Sequence, residues 1–165
     1  MATRKKTAKD AASTQPHPVE MVAAEGTNVL FDVWLVMKAT VGVLDQALAP
    51  TGLDSDEFGV YSVISSSESM TPSELSRWMS APPTTVSSYV KRMVARGHLV
   101  RDRHPTDGRS FVLRLTAEGR AAHRAAGAAF LPVLRRVVEA LGPREPAVRR
   151  SLTALREALD AAERG

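Results

Sequence analysis

The segment from residue 71 to residue 119 constrains the fold more strongly than any other part of the chain. It opens with TPSE at residues 71–74, where a capping threonine, a proline at the first helical position and a glutamate three residues after the cap predict a helix start. A second helix is expected after the prolines at 82–83, and Gly97 is the expected left-handed stop at its end. The short interval between the two helices predicts a helix-turn-helix.

Two strand-like runs follow the second helix. They lie at residues 99–103 and 110–115 and enclose the turn sequence HPTDG; Phe111, Leu113 and Leu115 alternate as in a strand with one buried face. Helix, turn, helix and then a two-stranded ribbon is the order of a winged helix-turn-helix, which places one helix in a DNA major groove and the ribbon beside it. We therefore predict a mainly α fold with a small β-wing.

The distribution of charge favours an anionic partner. The formal net charge is +4, whereas residues 71–115 alone hold eight basic and three acidic side chains, so positive charge is concentrated in the predicted DNA-binding motif. The chain has no cysteine, which excludes disulfides, thiolate zinc sites and thiol redox sensing. No apolar run approaches the ~20 residues of a membrane span. We expect a cytoplasmic protein that binds double-stranded DNA, without a membrane partner or a cofactor.

Four segments are expected along the chain. Residues 1–20 are polar, charged and broken by prolines, which predicts a disordered basic arm. An N-terminal dimerisation helix is expected within residues 21–50, the winged DNA-binding domain at 51–119 and C-terminal dimerisation helices at 120–165. Within the first C-terminal helix, Pro132 predicts a kink or a break.

The terminal helices carry apolar rows at helical spacing. The rows are Leu30, Trp34, Met37, Val41, Leu44 and Leu48 near the N-terminus, and Leu131, Leu134, Val138, Leu141, Val148, Leu152, Leu155 and Leu159 near the C-terminus. The central domain is too small to cover all of them, so burial against each other and against a second copy predicts a dimerisation lobe and a homodimer. The alternative is a monomer whose terminal helices fold onto its own core.

The second helix of the motif has a polar face suited to DNA. Val86, Val90 and Met93 are spaced to face the core. The opposite face of the helix then carries short hydroxyl side chains near its N-terminus and basic side chains one turn further on. Such side chains let a helix approach base edges closely, and lysine or arginine reaches guanine or phosphate. The predicted DNA contacts on this helix are Thr84, Thr85, Ser87, Ser88, Lys91 and Arg92.

The predicted wing adds further DNA contacts. Arg109 follows the turn and suits a narrow minor groove, where negative potential is concentrated, and Asp107 is placed to hold its guanidinium by a charge-assisted hydrogen bond. Arg103 is expected to contact DNA from the first strand of the ribbon. The alternative interpretation of Asp107 and Arg109 is a surface ion pair of little energetic value.

From Thr84 to Gly119 the chain resembles the MarR-type (multiple antibiotic resistance regulator) transcription factors. The matching pieces are Thr85-Val86 with a polar pair and Arg92, then Gly97, Leu99-Val100-Arg101, Asp107-Gly108-Arg109 and Leu115-Thr116-Ala117-Glu118-Gly119. Gly52-Leu53 and Glu57-Phe58 are similar to the start of the family's second helix. The resemblance covers about residues 28–163.

The resemblance implies a triangular homodimer whose two winged lobes read adjacent major grooves of a palindromic operator. It also implies that the protein represses a promoter and that a small ligand, often an anionic aromatic, relieves DNA binding. Two departures limit this inference. Ser88 stands where many members carry a basic residue, so base preference does not transfer, and the lack of cysteine excludes the peroxide-sensing branch.

Other functions are less well supported by the sequence. No nucleophile or acid–base motif predicts an enzyme, and the scattered histidines, among them His98, His104 and His123, are expected at the surface rather than in a metal site. An effector-blind architectural DNA-binding protein and a protein-interaction module remain alternatives. A ligand cleft is expected where the predicted dimerisation and DNA-binding lobes meet, and the candidates for its wall, which otherwise form plain core, are Trp34, Met37, Phe58, Tyr61 and Trp78.

Overall fold

The computed structural model describes residues 28–67, 69–104 and 110–163. The elements in these ranges are α1 (Val29–Leu48), α2 (Ser55–Ser65), α3 (Pro72–Trp78), α4 (Pro83–Ala95), β1 (Leu99–Arg103), β2 (Phe111–Leu115), α5 (Ala117–Leu141) and α6 (Glu145–Ala162), with short 3₁₀ turns at Ala49–Thr51 and Gly142–Arg144. The predicted mainly α fold with a β-wing is confirmed. The predicted N-terminal arm lies outside the described residues.

The chain divides into two units within α1, between Gly42 and Val43. The described part of the first unit is one largely apolar helical segment, which Asn28 caps by accepting from the backbone N–H groups of Leu30 and Phe31, each at 3.1 Å. The second unit holds the rest of the chain. No helix of the described residues is long and apolar enough to cross a membrane.

Local signals set the boundaries of the helices in the second unit. The side chain of Asp54 caps α2, Thr71 caps α3 in a full capping box with Glu74, and Thr116 caps α5. Gly97 ends α4 in the left-handed conformation, with φ at 72°. The start at Thr71 and the stop at Gly97 are the ones predicted above from the sequence.

One apolar core holds the winged part of the second unit together. It takes side chains from α2, α3, α4, both strands and the first half of α5, and its members include Val60, Tyr61, Ile64, Leu75, Val86, Val90, Met93, Leu99, Leu113, Leu115 and Ala126. Because α4 contributes one face to this core, its opposite face must point to solvent.

The two strands form an antiparallel hairpin. Leu99 pairs with Leu115 and Arg103 with Phe111, and a bridge from Leu113 to Met70, whose carbonyl accepts at 2.7 Å, ties the hairpin to the segment before α3. The wing is therefore anchored to the core at its base.

Two details concern individual residues. Of the kink or break predicted at Pro132, the break does not occur, since helix α5 continues from Ala117 to Leu141. On α3, Leu75 is buried and Met79 half-buried, but Trp78, for which plain core was one interpretation, is 63% exposed. Leu75 and Met79, four residues apart, take the inward positions of this short helix and leave Trp78 at its edge.

Much of each predicted apolar row of the terminal helices is exposed in a single chain, but Leu48 is fully buried in the core and Leu44 is half-buried against it. On α1 the exposed residues include Leu30, Trp34, Met37 and Val41, on α5 they include Leu131, Leu134 and Val138, and on α6 they are Val148, Leu152 and Leu159. Exposed apolar rows of this length are typical of surfaces that another chain covers.

The start of α5 packs tightly on the chain that follows α4. Gly119 is buried, and a Cβ atom at this position would overlap the carbonyl oxygen of His98. Thr116 fixes the same junction, since its N–H donates to the His98 carbonyl at 3.0 Å and its hydroxyl donates to the Gly97 carbonyl at 2.8 Å. A glycine is therefore required here by close approach of two backbones.

We expect Gly119→Ala to destabilise the protein by about 2 kcal/mol, because the added methyl group forces α5 away from His98. Gly127→Ala is the matched control: it is the same change on the same helix, at a position where a Cβ meets nothing within 4 Å. It should stabilise by about 0.5–1 kcal/mol through helix propensity. Urea unfolding measures both, and equal effects of the two changes would contradict the packing argument.

Candidate nucleic-acid interface

Helix α4 presents a polar face of small hydroxyl side chains. Val86, Val90 and Met93 lie in the core, so the positions between them point outward. Thr84, Thr85, Ser87, Ser88 and Lys91 are all exposed. The helix begins at Pro83, and no side chain caps it. The backbone N–H groups of its first turn are therefore not hydrogen-bonded to a capping side chain. The structure thus brings five of the predicted DNA-contacting residues together on one accessible surface.

The sixth predicted contact on this helix, Arg92, has a partner inside the protein. Its Nε donates to Oε1 of Glu57 at 3.0 Å, and Nη1 of Arg96 donates to Oε2 of the same carboxylate at 3.1 Å. The arginine side chains are 46% and 38% exposed, whereas Glu57 is only 4% exposed. We call Glu57, Arg92 and Arg96 the α2–α4 bridge.

The position of Glu57 in the sequence is also compatible with a different role. Asp54 and Glu57 have the spacing of a capping box, but only half of one forms: Asp54 accepts from the N–H of Glu57 at 2.6 Å, while the glutamate side chain turns inward to α4. Burial alone would raise the pKa of Glu57, but hydrogen bonds and charges from Arg92 and Arg96 lower that pKa below its ordinary value. The carboxylate therefore stays ionised in the core.

Neighbouring contacts extend this polar connection. The guanidinium of Arg92 lies 4.7 Å from the ring centre of Tyr89, whose hydroxyl donates to Asp56 at 3.0 Å. Burial raises the pKa of the Tyr61 hydroxyl, and the nearby charge of Arg96 acts in the opposite direction. Tyr89 thus helps to place Arg92 on the side of α4 that faces α2, and Tyr61 lies close to Arg96.

Tyr61, which lies beside the α2–α4 bridge, contacts His98 in the segment that follows α4. Its hydroxyl shares a hydrogen bond of 2.7 Å with Nδ1 of His98. His98 and His123 were expected at the surface, but both are partly buried. His123 packs beside Phe58, and burial lowers the pKa of its imidazole. Among the described residues no group of histidines and carboxylates is placed to hold a metal ion.

The wing carries exposed basic residues along its first strand. Arg101 lies 5.1 Å from the ring centre of Phe111, and Arg103, a predicted DNA contact, is exposed at the end of β1. Asp102 pairs with Arg114 across the hairpin. The other predicted contacts of the wing, Asp107 and Arg109, lie outside the described residues.

The five candidate ligand-binding residues occupy different environments. In the second unit Tyr61 is fully buried, Phe58 is half-buried with its ring centre 5.5 Å from that of Phe130, and Trp78 is exposed. Trp78 lines an open cleft of about 680 Å³ together with Arg77 and Arg156. In the first unit Trp34 and Met37 are exposed, and the rings of Phe31 and Trp34 stack with centres 5.8 Å apart.

A winged helix-turn-helix whose second helix exposes a polar face with a lysine is typical of DNA-binding proteins. Comparison with known proteins agrees with this class. The model of the MarR family matches residues 51–110. The HTH-type transcriptional repressor Rv2887 of Mycobacterium tuberculosis (strain ATCC 25618 / H37Rv) is 30% identical over 128 residues, which cover 77% of this chain and 90% of that protein.

Two solved structures share the fold with TM-scores of 0.72. The M. tuberculosis regulator MosR, in complex with DNA, is 29% identical, and the match covers 82% of this chain and 98% of MosR. CouR from Rhodococcus jostii RHA1, bound to p-coumaroyl-CoA, is 23% identical, with 82% and 94% covered, a likeness of fold alone. The chain belongs to the MarR family. It is a DNA-binding transcriptional regulator rather than an enzyme.

The ionised Glu57 makes stability depend on pH in a defined direction. Because its pKa is lower in the folded chain, the unfolded chain binds more protons in acid, and the stabilisation is present above pH 4.5 and is lost as pH falls through the folded pKa. At pH 7 we expect Glu57→Gln to reduce the free energy of unfolding by about 2 kcal/mol. Urea unfolding from pH 7 to pH 3 should show this difference shrinking.

Asp56→Asn is the control, since it removes the same charge from the exposed neighbour and keeps an acceptor for Tyr89. It should stay within about 0.5 kcal/mol of the parent chain. A Glu57→Gln effect that is equally large at pH 3 would contradict the role of the ionised carboxylate.

Proposed function

We propose that this protein is a homodimeric repressor that binds a palindromic operator, with one α4 helix in each of two successive major grooves about 10 base pairs apart. The contacts proposed on α4 are Thr84, Thr85, Ser87, Ser88, Lys91 and Arg92. Those proposed on the wing are Arg103 and Arg109, with Asp107 orienting Arg109. A small ligand that changes the angle between the two DNA-binding lobes would relieve repression.

The exposed face of α4 is the observation that carries this proposal. Thr85, Ser87 and Ser88 are short, so the helix backbone can approach base edges, and Lys91 adds a cation one turn further on. The opposite face, with Val86 and Val90, is held in the core, which leaves this surface as the one that the fold offers to a groove.

Other observations support the remaining parts of the proposal. The exposed apolar rows on α1, α5 and α6 favour a second copy as partner. The relative Rv2887 is named a transcriptional repressor, and MosR is solved in complex with DNA. CouR, which shares the fold, is solved with p-coumaroyl-CoA bound, and this favours relief by a small molecule. Such a regulator acts in the compartment that holds the DNA.

A lysine change tests the docking of α4. We expect Lys91→Gln to weaken binding both to a duplex that the protein selects from a randomised DNA pool and to a scrambled duplex of equal length. The slope of log affinity against log salt concentration should fall by about one, because one phosphate contact is lost. Lys38→Gln on α1, the same change at another exposed lysine, should leave affinity and slope unaltered. An unaltered slope in Lys91→Gln would count against this docking.

A charge placed in the apolar row of α6 tests the homodimer. Leu152 is 55% exposed in the single chain, and Leu152→Asp should convert a dimer to a monomer and abolish binding to the selected duplex, because an unpaired carboxylate cannot be buried at an interface. Thr153→Asp puts the same carboxylate on the adjacent exposed position and should leave the dimer intact. Sedimentation velocity measures both, and a wild-type protein that sediments as a monomer would refute the dimer.

A further inference from the structure

The buried carboxylate of the α2–α4 bridge needs an explanation beyond stability. Glu57 is 4% exposed and is the one charged residue buried among the described residues. Burying an ion pair costs desolvation energy, and apolar residues of similar volume are usually at least as stabilising. A directional contact that fixes the arrangement of two elements is the role in which buried ionic groups are best attested.

The geometry of the bridge restrains the rotation of α4 about its own axis. Each oxygen of Glu57 accepts from a different arginine, Oε1 from Arg92 at 3.0 Å and Oε2 from Arg96 at 3.1 Å. The two arginines are one turn apart on the same side of the helix. Hydrogen bonds depend on angle, whereas the apolar contacts of Val90 and Met93 are not directional. The bridge therefore restrains the rotation of α4, which the apolar core restrains only weakly.

The restraint extends past the end of α4. Tyr61 of α2, which is near enough to Arg96 for the two groups to interact electrostatically, hydrogen-bonds His98, whose carbonyl accepts from Thr116 at the start of α5. The C-terminal half of α4 is therefore connected by polar contacts to α2 and to the first residues of α5.

A small rotation of α4 would affect base contacts more than phosphate contacts. A side-chain tip about 6 Å from the helix axis moves about 1 Å for a rotation of about 10°. Short side chains such as Ser87 and Thr85 cannot compensate for such a shift, because hydrogen bonds to base edges tolerate only a few tenths of an ångström. The long, flexible side chain of Lys91 keeps its phosphate.

We infer that Glu57 is a positioning residue, which acts through Arg92 and Arg96 to hold the recognition helix at the rotation that sequence readout requires. The inference rests on the proposed docking of α4 in the major groove. According to this inference, Glu57 increases the preference of the protein for its operator over other DNA and does not contribute to its affinity for DNA in general.

The test compares two duplexes of equal length and composition: one that the wild-type protein selects from a randomised pool, and one with scrambled order. In Glu57→Gln the preference for the selected duplex should fall about tenfold, comparable to the loss of one good base contact. Affinity for the scrambled duplex should be retained. An equal fall for both duplexes, or no change in preference at temperatures where the variant is folded, would overturn the inference.

Two further variants distinguish a loss of helix positioning from a mere loss of charge and from a loss of folding. Asp56→Asn removes the same charge from the adjacent exposed residue and should keep the wild-type preference. Arg96→Gln removes one of the two arginine partners of Glu57 and leaves the contact with Arg92, so it should lose part of the preference that Glu57→Gln loses. The double variant should lose no more than Glu57→Gln alone, because Glu57→Gln already removes both contacts. If Arg96→Gln instead weakens both duplexes alike and lowers the salt slope by about one, Arg96 contacts phosphate and the inference is wrong.

The outcomes also distinguish the inference from the proposed function. A wild-type protein that selects no sequence from the pool refutes the proposed operator binding, and the inference with it. A wild-type protein that selects a sequence, together with a Glu57→Gln variant of equal preference, refutes the inference alone.

Discussion

The core under α4 is the constraint on which the proposed DNA-binding surface depends. Val86, Val90 and Met93 fill positions among α2, α3 and the hairpin, and burial of three such side chains stabilises the helix by several kcal/mol, about 1.5–3 for each. That burial commits one face of α4 inward. The hydroxyl groups and Lys91 are then exposed because no other orientation of the helix keeps its apolar row out of water.

Apolar burial decides which face of α4 points inward, and polar contacts refine the placement. The α2–α4 bridge gives an ionised carboxylate two charged donors in a buried site, and the junction at Gly119 and Thr116 fixes the chain immediately after the helix. Helix α5 is thereby attached to the end of α4. If α5 belongs to the proposed dimer interface, a change in its position has a short covalent and hydrogen-bonded route to the proposed DNA-binding surface, as the proposed relief by a ligand requires.

The parts of the fold that depend on near neighbours were predictable. The cap at Thr71 and the left-handed Gly97 were predicted from residues within four positions of one another, because capping is a local hydrogen bond. The outward position of Thr85, Ser87 and Lys91 followed from helical periodicity. The need for glycine at 119 was visible only as a family motif, since its cause is the approach of another backbone.

The sequence by itself determined the winged helix-turn-helix, the exposed polar face of α4 and the apolar rows of the terminal helices, since periodicity and capping act within one element. The tertiary structure decided which polar side chains meet. Glu57 has the spacing of a capping residue but pairs with arginines 35 and 39 positions away, His98 is held by Tyr61 rather than by water, and Trp78 faces solvent. Such choices depend on the desolvation and distance of groups far apart in the chain, which no local pattern encodes.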